Sequence, residues 1–296
     1  METVEKKYIV GIGEILWDML PEGKKMGGAP ANFAYHASQL GLESWAVSAV
    51  GCDSLGDEII SQLEERNMNV YCIRAYRPTG TVQVELDDEG IPQYEIKEDV
   101  AWDMIPFTSE LHDMALQTRA VCFGTLAQRS AMSRSSINRF LDSMPDDKGI
   151  YKIFDVNLRQ HFYTKDILTD SMRKCNVLKI NDEELCILTE MLEYPSGDMQ
   201  GTGDRLMKEY GIDIVILTCG TEGSYIFSHG NTSYVYTPEV EVADTVGAGD
   251  SFTAAFIASL LKGEDIRTAH RFAVDVAAYV CTQKGAMPAL PYNLKK

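Results

Sequence analysis

Short apolar runs recur along the chain: YIVGIG (8–13), WAVSAVG (45–51), AVCFG (120–124), KIFDV (152–156), VLKI (177–180) and IVILTC (214–219). They are rich in Val and Ile and nearly continuous rather than alternating, the pattern of strands covered on both faces. Segments of helical spacing lie between them. In residues 31–40, Phe33, Ala37 and Leu40 share one face, and Gly41 supplies a stop. Residues 56–67, 130–143, 199–210, 249–262 and 265–283 read in the same way. This alternation predicts an α/β fold: a three-layer, Rossmann-like, mostly parallel sheet flanked by helices.

One region breaks the alternation. Residues 79–96 read as two strands of alternating polarity, with Asp87-Asp88-Glu89-Gly90 as the turn. An antiparallel hairpin does not belong in a parallel sheet, so a small second sheet projecting from the body is expected. No internal repeat or low-complexity segment is present.

A length of 296 residues suits one large domain with an elaboration. The net charge of −17 repels polyanions, so nucleic acid is not an expected partner. A small anionic substrate would need local donors or a divalent cation. No apolar run approaches the roughly 18 residues of a membrane helix. METVEKKYIVGIG carries charges without a long apolar centre and reads as a first strand rather than a signal peptide. The seven cysteines are widely spaced and form no C-x-x-C pair. They read as reduced core thiols of a cytoplasmic protein. No H-E-x-x-H or paired C-x-x-C metal spacing occurs.

Gly11-Ile12-Gly13 follows a strand like the start of a dinucleotide fingerprint. The third glycine position holds Leu16, and Pro21 and Gly23 interrupt any following helix, which excludes a nicotinamide dehydrogenase. A G-x-x-x-x-G-K-[ST] phosphate loop is absent.

DTVGAGDSF (244–252) carries the most specific chemistry. A helix starting near Gly249 leaves amide N–H groups unpaired in its first turn. Gly247, Ala248 and Gly249 leave those groups uncovered, so an anion can approach, aided by the helix dipole. Asp250 lies in the same turn. With an ordinary aspartate pKa of about 3.9 it would be ionised and a weak base, able to take a hydroxyl proton while the amides hold a phosphoryl group. The plain alternative is a tight turn with an acid complementing a dipole. Asn181-Asp182-Glu183-Glu184 reads either as a capping box or as a carboxylate near hydrated Mg²⁺. Thr218-Cys219-Gly220-Thr221-Glu222-Gly223 is a turn or a ligand loop at a strand's carboxyl end. Asp18, Asn32, Asn157 and Arg159 can converge on the same edge and suit a polyhydroxylated ligand, although each alone fits a cap or surface residue.

GEILWD (13–18), GGAPANFA (27–34), DVNLR (155–159), INDEE (180–184), LTCGTEG (217–223), DTVGAGDSF (244–252) and KGAMPALP (284–291) occur in one order. From about residue 8 to 291 the chain resembles the ribokinase-like (phosphofructokinase B type) carbohydrate kinases, and GGAPANFA with GEILWD resembles the fructokinase branch. The resemblance implies an ATP-dependent sugar kinase acting on a primary hydroxyl, D-fructose to fructose 6-phosphate. It implies Asp250 as catalytic base and Gly247, Ala248 and Gly249 as anion hole. Asn181 and Glu184 would place Mg²⁺–phosphate, Glu184 through water. Thr218, Gly220 and Gly223 would border the ATP. Asp18, Gly28 and Asn32 would contact sugar hydroxyls, alongside Asn157 and Arg159. Segments 14–26 and 79–100 would form a lid over the sugar and a homodimer contact. Carbonyls around Asp244 and Val246, with the loop at Gly285, would resemble the family's monovalent-cation (K⁺) site. The chain departs from the family at Val274, where several relatives carry Asn or His near adenine, and at Ala289, which replaces a Ser near the cation. Alternative substrates are 2-keto-3-deoxygluconate, whose carboxylate Arg159 would hold, and ribose. A non-catalytic sugar sensor is the alternative of another class.

Overall fold

A computed structural model describes residues 7–20, 23–86, 92–195 and 197–295. The strands are β1 (Tyr8–Ile12), β2 (Leu16–Leu20), β3 (Gly23–Gly27), β4 (Ser44–Gly51), β5 (Asn69–Ala75), β6 (Gly80–Leu86), β7 (Pro92–Ile96), β8 (Thr118–Gly124), β9 (Tyr151–Asp155), β10 (Val177–Asn181), β11 (Ile214–Thr218), β12 (Ser224–Ser228) and β13 (Asn231–Val235). The helices are α1 (Ala29–Gln39), α2 (Ser54–Glu65), α3 (Ser109–Leu116), α4 (Ala131–Ser143), α5 (Lys165–Lys174), α6 (Asp182–Met191), α7 (Met199–Tyr210), α8 (Ala248–Leu261) and α9 (Ile266–Cys281).

The main sheet runs β13-β12-β11-β10-β9-β8-β1-β4-β5. From β11 to β5 every neighbouring pair is parallel, and β12 and β13 add an antiparallel edge. All six apolar runs are strands of the parallel part. Their continuous hydrophobicity has a direct cause: alternate residues feed two cores. Ile9, Ala120, Ile153, Val177 and Ile216 pack with Phe33 of α1, Phe256 of α8 and Val276 of α9. Val10, Phe123, Phe154, Leu178 and Val215 pack with Leu111, Phe140, Leu168, Leu185 and Leu206 of α3 to α7. Each fully buried large side chain contributes roughly 1.5–3 kcal/mol over exposure. Phe33, Ala37 and Leu40 all join the α8/α9 core, as their spacing predicts.

Gly11 and Gly13 also have a cause here. A Cβ on Gly11 would collide with the Pro30 carbonyl, and one on Gly13 would lie 2.8 Å from Pro30 Cγ. The glycines let α1 lie directly on β1, which brings the start of α1 to the carboxyl edge of the sheet.

The second sheet runs β3-β2-β6-β7. β6·β7 is the expected antiparallel hairpin, and β2·β3 is also antiparallel. The middle pair β2·β6 is parallel, with Leu16 opposite Gly80. β2 continues outward from β1 and β6 outward from β5, two strands of the same direction, so they leave the body side by side. The expected turn at Asp87-Asp88-Glu89-Gly90 lies outside the described residues.

An arginine is among the groups that tie the root of this sheet to the body. Arg129 donates to both oxygens of Asp103 at 2.9 Å and to the Lys97 carbonyl at 2.7 Å. Its guanidinium lies 3.9 Å from the Trp102 ring centroid and 4.5 Å from that of Phe162.

All seven cysteines are free thiols. The reading of them as core residues holds for Cys122, Cys175 and Cys219 and is corrected for Cys52 and Cys186, which are exposed. Cys52 lies in the turn before α2, and Cys186 sits on the outer face of α6, where apolar neighbours in sequence do not mean burial. Among the described residues no helix is long and apolar enough to cross a membrane.

Candidate active site

The first turn of α8 opens onto the carboxyl edge of the main sheet. Gly247 is its N-cap, with φ 81°. A Cβ on Gly247 would meet the Ala286 carbonyl oxygen at 2.7 Å, so both conformation and space demand glycine here. Of the three positions expected to receive an anion, Ala248 turns its N–H toward the Thr245 carbonyl at 3.3 Å. Among the described residues no side chain caps this tip, the condition for anion binding.

Asp250 projects from this turn toward α1. Asn32 Nδ2 donates to its Oδ2 at 2.8 Å, while Asn32 Oδ1 is buried and has no partner among the described residues. The expectation of an ordinary aspartate is corrected. Burial, and then the neighbouring Asp155, push the Asp250 pKa up to about 6, against the pull of the Asn32 hydrogen bond, Lys179 and Arg159. Asp250 is still partly reached by solvent. The helix dipole favours ionisation, but in this position desolvation wins.

Asp18 stands on β2 with Lys25 of β3 opposite it in register. Burial raises its pKa, and Arg159 and Lys25 oppose the rise. Gly28 is the N-cap of α1, where a Cβ would collide with the Glu14 carbonyl. Asn157 follows β9 in the left-handed region at φ 41°. Arg159 is exposed, donates to the Leu158 carbonyl at 2.9 Å, and acts electrostatically on Glu14, Asp18 and Asp250. Asn32 and Arg159 both act on Asp250, and Arg159 acts on Asp18 as well.

Asn181 and Glu184 form the capping box of α6: Asn181 Oδ1 accepts from Glu184 N at 2.8 Å, and Glu184 Oε2 accepts from Asn181 N at 3.0 Å. Glu184 Oε1 accepts from Leu158 N at 2.9 Å. Both oxygens of this buried carboxylate are therefore engaged, and they brace the loop that carries Asn157 and Arg159.

Thr218 ends β11 opposite Asn181 in register. The Gly220 carbonyl accepts from Thr237 Oγ1 at 2.7 Å. Gly223 packs so closely that a Cβ would sit 2.6 Å from the Val235 carbonyl oxygen. Among the described residues no hydrogen bond links this loop to the Asp250 group.

Asp244, Val246 and Gly285 come together through the Asp244 carboxylate, which accepts from the N–H of Val246 and of Gly285 at 3.1 Å each. Lys25 Nζ lies 3.4 Å from the same carboxylate. Burial acts to raise the Asp244 pKa, but these donors outweigh it and hold the group below the usual range. Val274 is buried in the α8/α9 core, and Ala289 offers its carbonyl to Tyr279 at 3.1 Å.

Three site residues escape the sequence reading. Glu14 is 3% exposed, and its Oε2 has no partner among the described residues; burial, with a further push from Asp250, raises its pKa to about 7. Asp155 and Lys179 form a buried pair at 3.2 Å beneath α8. The available signal is charge inside strands that are otherwise continuously apolar, KIFDV and VLKI.

The model of the pfkB family of carbohydrate kinases matches residues 22–293. The chain is 29% identical to a fructokinase of Klebsiella pneumoniae, over 95% of this chain and 95% of that protein. It is 28% identical to a putative sugar kinase of Pyrococcus horikoshii, over 94% of this chain and 91% of that protein. A crystal structure of a fructokinase with bound ATP from Xylella fastidiosa superposes with TM-score 0.84 at 21% identity, covering 97% of this chain and 95% of that one. The ordered motifs, the two-sheet fold and the family match agree: this chain belongs to the pfkB family of carbohydrate kinases and is a phosphotransferase acting on a sugar hydroxyl.

Proposed function

We propose that this kinase moves the terminal phosphoryl group of ATP to the primary hydroxyl of D-fructose. One observation carries the reading: the uncapped tip of α8 lies beside Asp250, whose carboxylate is held by Asn32 from the facing helix. Amides at that tip suit a phosphoryl oxygen, and Asp250 suits the attacking hydroxyl. In this reading Asp18 accepts from sugar hydroxyls, and the unpaired Oδ1 of Asn32 accepts one once the site is filled. The β11 loop around Thr218 and Gly220 borders the nucleotide in this reading. Mg²⁺ is carried by the phosphates and water, since both Glu184 oxygens are taken by backbone N–H groups. The second sheet covers the sugar and excludes water as a competing acceptor. Its outer face joins two chains, which predicts a particle of twice 33.0 kDa by light scattering.

Asp250→Asn is expected to lower kcat by roughly 10²–10⁴ with the fold intact, because it removes the base but keeps the shape. Near-normal turnover in that variant rules the assignment out. A second reading has support from Arg159, a guanidinium within electrostatic reach of the Asp18–Asp250 group. It suits the carboxylate of 2-keto-3-deoxygluconate. A coupled assay across fructose, ribose and 2-keto-3-deoxygluconate separates the readings. Loss of activity in Arg159→Leu confined to the acidic sugar favours the second.

A further inference from the structure

Lys179 stands where the pattern of β10 calls for an apolar residue. On the side of the sheet facing α8, Val177 packs with Ile153 of β9 in the shared core. Two residues on, the same register sets Lys179 beside Asp155. Lys179 is 8% exposed and Asp155 is 3% exposed, with Nζ and Oδ1 3.2 Å apart. Directly above lies Gly249: a Cβ there would come within 3.2 Å of Lys179 Nζ. The ammonium thus sits against the first turn of α8, under the backbone that receives the phosphoryl group.

A buried ion pair is a poor stability device, since apolar residues of similar volume often serve as well. A use for the charge is therefore to be sought, and the helix tip offers one. Burial works to discharge Lys179, but Asp155, then Glu184 and Asp250, hold it protonated. A fixed cation adds to the helix dipole in a site where charges are weakly screened. Such preorganised charge favours a transition state more than the ground state.

We propose that Lys179 is the cation of the anion hole: held by Asp155, it faces the nucleotide's terminal phosphoryl through the gap left by Gly249. It takes up charge as that group moves to the sugar. The sugar oxygen bonds to phosphorus as the bond to the leaving diphosphate breaks. The hydroxyl proton passes to Asp250, and Lys179 keeps its protons throughout. Asp155 is a positioning residue. The inference rests on the kinase reading of the α8 tip.

Two variants test it, Lys179→Met and the charge-balanced Lys179→Met/Asp155→Asn, each first shown to be folded by circular dichroism. The second guards against the instability of a lone buried Asp155. Dissociation constants for ADP and for the β,γ-imido analogue of ATP, both with Mg²⁺, are compared by calorimetry. Loss of a charge-assisted contact to the terminal phosphoryl weakens the analogue by roughly 10- to 100-fold and ADP by less than about 3-fold. In Lys179→Met the acid limb of kcat/KM also moves to higher pH, since Lys179 holds the Asp250 pKa down. Removing Asp155 as well moves it back. Equal weakening of both nucleotides, no weakening of either, or wild-type turnover in the double variant overturns the inference. Asp250→Asn is the control. If it abolishes turnover and binds the analogue normally while Lys179→Met leaves the analogue-to-ADP ratio unchanged, the Lys179 role falls and the site reading stands. If Asp250→Asn turns over normally, the site reading itself falls.

Discussion

Asp250 sits between opposing influences, and its pH dependence follows from their balance. Its raised pKa means that the carboxylate is lost as pH falls through about 6. Roughly nine in ten molecules carry it at pH 7. kcat/KM, which reports the free enzyme, should therefore fall on the acid side with a midpoint near 6 and not near 4. Profiles from pH 4.5 to 8 check this. Glu14 makes a separate prediction about stability. Its folded pKa of about 7 exceeds the unfolded value of 4.5, so the folded chain binds more protons between those values and loses stability as pH rises through them. Glu14→Gln removes this and should stabilise the protein by roughly 1–3 kcal/mol at pH 8 relative to wild type, and by much less at pH 4.5. Urea unfolding at both pH values measures it; equal effects at both contradict it. Of these residues, Asp250 was legible because it stands in a glycine-flanked helix start. Glu14, Asp155 and Lys179 were not, because a charged residue next to an apolar run looks like a surface residue until the fold buries it.

At the scale of elements, the position of α8 depends on a backbone form that only glycine takes easily. Gly247→Ala places a Cβ against Ala286 and demands φ near 81° from an L residue. This should cost roughly 1–3 kcal/mol in stability. Turnover should fall more than the folded fraction does, by at least about 10-fold, because the helix tip moves. Thermal melts beside steady-state kinetics separate the two effects, and unchanged kcat/KM contradicts the account. The strands that carry the site edge were legible because each is buried on both faces. β5 was not, since as the outer strand it keeps most of its residues half exposed and its run NVYCIRA lacks a continuous apolar signature. α6 illustrates the opposite case. Its capping box was visible as Asn181 and Glu184, but that Glu184 also holds the Leu158 amide depends on β9 and β10 lying side by side.

The whole molecule is two sheets, the smaller built from strands that leave the larger one side by side. Arg129 is one tie between them, since it binds Asp103 and Lys97 while packing on the Trp102 and Phe162 rings. With side chains 7% and 9% exposed, Arg129 and Asp103 form a buried pair. Arg129→Met leaves Asp103 uncompensated and should cost roughly 3–5 kcal/mol in urea unfolding, partly recovered by adding Asp103→Asn. A cost below about 1 kcal/mol contradicts the tie. The hairpin at 79–96 announced a second sheet in the sequence. Its parallel join to β2 did not show there, because it depends on where two distant strands leave the body. In the proposed reading these parts meet at the substrates, with the α8 tip on the phosphoryl group and Asp250 on the sugar. A crystal structure with the imido ATP analogue, Mg²⁺ and fructose tests it most directly. The account predicts the terminal phosphoryl within hydrogen-bond distance of the amides at the α8 tip and the sugar's primary hydroxyl about 3 Å from Asp250. A phosphoryl group bound away from α8, or a sugar that leaves Asp250 facing only water, contradicts it.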